Sequence, residues 1–563
     1  MKTFIKITAV LLACLLCTVS CSDFLKETAN GKMSSDKSFS LPTDAVTCTH
    51  ALLHRATRAY FGLDQTVWYM WGDDLNTHRA SNKADIREWD MFAVSTGNPR
   101  ALRCWRYHYR LIKDACYIID GVEGTPGAKQ EDIDYALGQA HFWRALSYFH
   151  LVRAYGPLPL ILHIGTDFEA ELTTVAGVYE QIVADLQIAE AKLLPDYSDA
   201  PKKINGSLRV ASRAAAKAIL SNVYLTMAGW PLEYGSEYYT RAAAKALEVI
   251  DGCNNGTYKF SLYDEYWKIY SKQENEVNQE ALCVLFYSRA FGTGDNDYDS
   301  GRGGINETPG GAAGGWSDTA AEIQFWVDFE GQARKDATYA QYVVTNRTAD
   351  AEGVYPHTRW WLNNEEDGAY KHPYFTKAQL TLEGRGEFDS TVPWSVQCND
   401  WDTKNHQIVR LGEVYCWYAE AIGRSGTGDK AKAIQLLNII RKRADGEGAS
   451  DHYSADMSYQ ALGEAAFKEH GWEIAGYMWG AVAPRAADMQ RMKMFRAHFE
   501  KRKENQPVIF NDPDTGDLVT VFEPRTLMDN YWNEDMMLAP YPSNEVDINP
   551  KLVSNEKKLK LIK

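Results

Sequence analysis

Beyond residue 20 the 563-residue chain has no apolar run long enough to cross a bilayer, so no transmembrane helix is expected there. Positive charge is in short supply as well. The 60 Lys and Arg are outnumbered by 75 Asp and Glu, and the formal charge of −15 argues against nucleic acid as a partner, because phosphate binding is driven by clustered cations. Outside residues 1–20 no Cys-x-x-Cys pair stands with a matching His or Cys cluster, which speaks against a zinc site and a disulfide framework. Cys48, Cys104, Cys116, Cys253, Cys283, Cys398 and Cys416 remain, and those among apolar neighbours, such as Cys283 and Cys416, read as small buried hydrophobes. Catalytic signatures are also missing. There is no His-Glu-x-x-His and no P-loop, and Gly423-Arg424-Ser425-Gly426-Thr427 puts Thr where the last glycine of a nucleophile elbow belongs. Gly301 to Gly304 lacks the strand before and helix after that a phosphate-binding loop requires. No cofactor is expected.

What the chain does contain begins at its N-terminus. Lys2 and Lys6 precede an apolar run, residues 7–19, too short for a transmembrane helix and of the length of a secretory signal. It ends in Thr18-Val19-Ser20-Cys21, which resembles a bacterial lipobox with Thr18 where Leu is usual. Residues 1–20 are therefore expected to be a lipoprotein signal peptide, with Cys21 the acylated first residue of the mature chain.

The length exceeds what one core usually holds and points to two packed lobes or an elongated helical array. Residues 135–160, YALGQAHFWRALSYFHLVRAYGPLPL, form the organising stretch. Phe142, Leu146, Phe149 and Val152 recur at helical spacing, and Trp143, Ala145, Tyr148 and Leu151 lie between them, so an interior helix is expected. Gly156, Pro157 and Pro159 end it. Further helices are read at 44–60, 99–120, 175–194, 207–228, 236–250, 409–422 and 429–443. Paired in sequence, they make loose helix-turn-helix units of about the 34-residue tetratricopeptide size.

Residues 257–405 differ. EALCVLFY at 280–287 fits one buried strand, and the Gly-rich 295–318 reads as loop. Residues 67–90 also read as an aperiodic loop, carrying Trp68, Tyr69, Trp71 and Trp89 among polar groups. Trp or Tyr in a polar loop can stack on the C–H face of a sugar ring while Asp, Asn and Arg bond its hydroxyls. Trp71 with Asp73, Asp74 and Asn76, and Trp316 with Tyr298 and Arg302, have that mixture. The alternative is that such tryptophans pin loops to the core. Asp73-Asp74 and Glu365-Glu366-Asp367 could in principle supply glycosidase carboxylates, but adjacent acids on a loop are more often a solvated edge.

Several motifs together resemble the SusD/RagB family of outer-membrane nutrient-binding lipoproteins. They are Cys21-Ser22-Asp23-Phe24-Leu25, Trp143-Arg144-Ala145-Leu146 through Tyr155-Gly156-Pro157-Leu158-Pro159, the segment 179–194 with Asp185-Leu186, Arg410 to Glu413 through Tyr418 to Ala421, Leu437 to Ala444, and Leu538 to Pro542 with Asn549-Pro550-Lys551-Leu552. A C-terminal family block survives only as Glu469-His470, Glu473-Ile474 and Asp488 to Arg491, which marks a divergent member. The resemblance implies a mostly α fold, with tetratricopeptide-like helix pairs forming a right-handed superhelical scaffold packed against an irregular loop-rich lobe. Residues 21–256 would be the N-terminal helical region, and 257–563 the C-terminal region, with a ligand-bearing part at 257–405 and a further helix pair at 406–445. It also implies capture of oligosaccharide at the cell surface, without catalysis, for a SusC-like TonB-dependent transporter in the outer membrane. The RagB branch would take peptide instead. By loop position, Trp316 and Tyr298 resemble the aromatic platform of starch-binding members, with 71–76 on its other side. The mature chain, lacking Lys2 and Lys6, carries a formal −17, which disfavours very anionic glycans unless a local basic patch outweighs it.

Overall fold

The computed structural model describes residues 38–563 apart from 61–66, 80, 166–168, 197–209, 272–277, 286–317, 341, 347, 365–370, 376, 378–404, 477–480 and 553–554. Cys21, Tyr298, Arg302, Trp316, Glu365, Glu366, Asp367 and Cys398 lie outside the described residues. The fold is mostly α, as the sequence implies. Helices Asp44–Ala59, Pro99–Gly121, Gln130–Tyr155, Val175–Lys192, Arg213–Ala228 and Ser236–Asn254 follow in order, and from Pro99–Gly121 onward each packs on the next. Ser236–Asn254 then packs on Leu411–Ser425, which in turn rests on Lys430–Asp445 and Tyr459–Ile474. The intervening segment, read as non-repetitive, is inserted into a helical array that closes again behind it.

The Gln130–Tyr155 helix is buried on every side from Tyr135 to Tyr155, which is why its apolar residues are not confined to one stripe. Gly156 ends it at φ 79°, a left-handed region that a Cβ would oppose, and Leu158–Pro159 leaves as a strand paired with Leu172–Thr173. Burying Arg144 in such a helix requires a partner. Its Nε and Nη2 donate to the Asp185 carboxylate at 2.8 and 2.7 Å, and the His141 ring lies 2.7 Å from the same group. Burial alone would raise Asp185, but hydrogen bonds from Arg144 and His141 bring it below the ordinary carboxylate value. Two of the sequence motifs thus form one buried bidentate clasp between neighbouring helices.

The expected buried strand exists as Ala281–Leu285, antiparallel to His406–Arg410. A second, smaller core gathers Ile323, Val343, Val344, Trp360, Trp361, Tyr374, Val508, Phe510 and Val521 under the irregular lobe. Its edge elements are the strand pairs Tyr342–Val344 with His357–Arg359 and Val508–Asn511 with Leu518–Val521. Periodicity had suggested neither the Tyr459–Ile474 helix nor Phe495–Glu504. Both carry buried charges on their inward faces, Glu469, Glu473 and Arg502 among them, so the apolar period is broken where ion pairs replace hydrophobic contacts. Four cysteines, Cys104, Cys116, Cys283 and Cys416, are buried as expected, and burial pushes the Cys104 thiol up to about 12.

Candidate functional site

Residues 67–90, expected to be a loop, instead include short regular elements. Val67–Trp71 is a 3-10 turn, Leu75–Asn76 a strand, and Ala84–Asp90 a helix. The ligand-contact reading of Trp71 is corrected by its burial. Its side chain is 1% exposed, stacked on Phe92 at 5.7 Å and 8°, with Trp89 and Phe495 closing the other sides. A ring sandwiched in this way has no face left for a ligand. Asn76 is corrected likewise, being fully buried with its Nδ2 donating to Glu523 Oε1 at 2.7 Å.

The acids of this segment are also committed. Arg485 donates to Asp73 through Nε and Nη2 at 2.6 and 3.0 Å; burial would raise Asp73, but this guanidinium brings it below the usual value. The Asp74 Oδ2 accepts from the Gly476 N–H at 2.8 Å, yet burial, with Asp73 beside it, pushes Asp74 up to about 7. The strand beyond them is clamped further. Arg502 donates to the Leu75 carbonyl at 2.6 Å, to Asp90 and to Glu322, while Arg525 donates to Glu322 at 2.5 Å. Leu75 and Asn76 pair with Ala321 and Ala320, shortly downstream of Trp316, so the bases of the two expected ligand loops meet in one ladder.

Directly beside this frame lies a cleft of about 750 Å³. Its walls include Arg79, Asn364, Lys371, Asn505, Phe522 and Arg525, with Trp361 at its inner edge. Arg79 is stitched to the opposite wall by its N–H to the Pro524 carbonyl at 2.9 Å. Phe522 is 58% exposed, and Leu527 stands open next to it. Glu523, between Phe522 and Pro524, is the residue that holds Asn76, so the sequence-predicted segment braces the cleft from behind. Asn505 Oδ1, Arg525 Nε and Thr526 Oγ1 are enclosed and make no hydrogen bond. An exposed aromatic face beside the polar side chains of Arg79, Asn364 and Lys371 is what a polyhydroxylated ring with one apolar face requires. Sequence reading missed this wall. The available signal was Phe522, Leu527 and Tyr531 in a short polar stretch, all exposed in the fold.

One other constellation has ligating chemistry. Cys104, His108 and His150 put three potential donor atoms within 4.8 Å of one another. Its surroundings oppose a cation. The Trp68 indole N–H donates to His150 Nε2 at 2.9 Å, the two imidazoles stack at 4.2 Å, and burial together with the Arg153 charge pushes His108 down to about 3. We read the group as polar packing inside an aromatic core.

Two family models match the chain, one described as starch-binding and associating with the outer membrane over residues 41–225, the other as the SusD family over residues 388–557. The chain belongs to the SusD/RagB family. A SusD-like protein P2 from Formosa agariphila is 26% identical over 78% of this chain and 81% of its own length. Among solved structures, a SusD homolog from Bacteroides thetaiotaomicron superposes with a TM-score of 0.71 at 18% identity, covering 93% of this chain and 99% of that one. A laminarin-binding SusD-like protein gives a TM-score of 0.64 at 21% identity, covering 92% and 99%. The divergent SusD block has a structural role here. Glu469, Glu473, Asp488 and Arg491 are all buried and ion-paired. No described helix is long and apolar enough to cross a membrane.

Proposed function

We propose that this protein is a cell-surface glycan-binding lipoprotein, without catalytic activity, that captures oligosaccharide in the cleft walled by Arg79, Asn505 and Phe522. The carrying observation is the exposed Phe522 ring in a cleft whose walls also carry Arg79, Asn364, Lys371 and Asn505. Membership of the SusD family, and the laminarin-binding protein that shares its fold, support the class of ligand. Trp316, Tyr298 and Arg302 remain candidate ligand-binding residues in this reading, on the strength of their sequence setting alone. Delivery is to a SusC-like TonB-dependent transporter in the outer membrane, with Cys21 as the lipid anchor.

The test is affinity electrophoresis through a panel of soluble glycans, with reducing ends assayed after prolonged incubation. Retardation without new reducing ends is expected. New reducing ends would show a glycosidase, and absence of retardation with any glycan would defeat the reading in favour of peptide or a scaffold role. Phe522→Ala is expected to weaken glycan binding roughly 5- to 150-fold, since stacking on one aromatic is worth about 1–3 kcal/mol, with the circular dichroism spectrum unchanged. Titration calorimetry checks this, and unaltered affinity would move the site elsewhere.

Cys21→Ala is expected to abolish membrane attachment or block processing. Fractionation after a carbonate wash decides it, because a variant still sedimenting with membrane would mean that the anchor is not an acylated Cys21.

A further inference from the structure

A second groove lies on the helical scaffold, away from the 750 Å³ cleft. It occupies about 400 Å³ between the Pro99–Gly121 helix, Pro159 to Ile161, and the C-terminal segment around Ile548. Arg106, Arg110 and Lys113 fall on one face of that helix at the spacing that stacks side chains, and all three are exposed at the groove's rim. Its wall is apolar. Tyr109 is half-buried, held edge-on by its hydroxyl donating to the Pro159 carbonyl at 2.9 Å, and Ile548 stands 49% exposed across from it.

The charge is unbalanced. Among the described residues Glu545 is the one acid lining the groove, and it is taken by Arg106 Nε at 2.7 Å. Among the described residues Arg110 and Lys113 have no carboxylate partner, although the whole chain carries −15. Two unpaired cations beside an apolar wall, in an acidic protein, form the local basic patch that an anionic ligand needs against the global charge. The guanidinium fork suits a carboxylate, and the volume, at the small end for ligand clefts, suits one or a few sugar rings better than a folded partner.

We propose that this groove is a second, anion-selective sugar subsite that takes a carboxylated unit of a glycan, its ring against Tyr109 and Ile548 and its carboxylate between Arg110 and Lys113. The proposal rests on the glycan-binding reading of the protein and adds a substrate class to it.

The experiment is titration calorimetry of the full mature chain at low salt with galacturonate tetramer and with the same tetramer after carboxyl reduction, alongside a neutral glycan that the protein retains. The Arg110→Ala/Lys113→Ala double variant, exposed on a helix surface and expected to fold normally, is measured in parallel. The acidic tetramer should bind at least several-fold more tightly than its reduced form, weaken as salt is raised, and lose about tenfold in affinity in the double variant. Neutral-glycan affinity should not change. Equal binding of the two tetramers, or an unaltered acidic affinity in the variant, overturns the subsite while leaving the neutral-glycan reading intact. Failure of every glycan in wild type overturns the glycan reading itself. Tighter binding of a poly-glutamate peptide than of the acidic tetramer would assign the groove to an acidic peptide and defeat the sugar assignment.

Discussion

Glu473→Ala is expected to lower the stability of the fold by about 3–5 kcal/mol, the cost of removing one partner from a buried charge cluster. Its carboxylate accepts from Arg443 Nη2 at 2.6 Å, Arg410 Nη1 at 3.1 Å and Arg334 Nη1 at 3.3 Å, and all four groups are buried. Glu280 takes a share of Arg443 and Arg410, and Glu469 of Arg334, but two carboxylates cannot satisfy three guanidiniums in the geometry left behind. The cluster joins the Ala281–Leu285 strand region, the His406–Arg410 strand and the Gln332–Thr338, Lys430–Asp445 and Tyr459–Ile474 helices, so its loss loosens the seam between the helical array and the irregular lobe. Chemical denaturation followed by tryptophan fluorescence measures the effect. A midpoint within error of wild type would mean that the arginines find other partners. Burial raises the Glu473 carboxyl, but Arg443, Arg410 and Arg334 outweigh it and hold it down at about 2. Its contribution is therefore complete above the unfolded carboxylate value of about 4.3 and is lost as pH falls through the folded one, so wild type and variant should converge in stability only at the acid end.

Trp71→Ala is expected to have a comparable effect on stability and none on ligand affinity. Removing a fully buried indole from between Phe92, Trp89 and Phe495 leaves a large cavity and should cost about 3–5 kcal/mol. Trp71→Phe should recover much of that, because the indole N–H makes no hydrogen bond. Whatever fraction of Trp71→Ala remains folded should bind glycan with wild-type affinity. Denaturation midpoints and calorimetry on the same preparations separate the two effects. A stable Trp71→Ala with lost binding would restore the residue to the ligand site and contradict its burial. Together with Phe522→Ala the pair distinguishes an aromatic that holds the frame from one that faces solvent.

The helices were legible from the chain alone because their period is local. Phe142, Leu146, Phe149 and Val152 need only 3.6 residues per turn to share a face, and Ala281–Leu285 needs only a short apolar run. The family motifs carried the fold class with them, and Arg144 and Asp185, one from each of two motifs, form a contact within the structure. The exposure of a given aromatic could not be read in the same way. Trp71 and Phe522 both stand among polar residues in aperiodic stretches, and composition treats them alike. Trp71 is enclosed because Phe495 arrives from the far end of the chain, whereas Phe522 stays open beyond the Leu518–Val521 strand, which among the described residues pairs on one side alone. Likewise the polar groups of 73–76 read as ligand-binding side chains in sequence, whereas in the fold Arg485, Gly476 and Glu523 engage Asp73, Asp74 and Asn76 from behind. Sequence determined the helices whose buried face is apolar, the family they belong to and which residue types could meet a ligand, but not the Tyr459–Ile474 and Phe495–Glu504 helices, whose buried faces carry charge. Tertiary packing decided which of those residues face solvent, since burial and hydrogen-bond satisfaction depend on partners hundreds of residues away that no local pattern encodes.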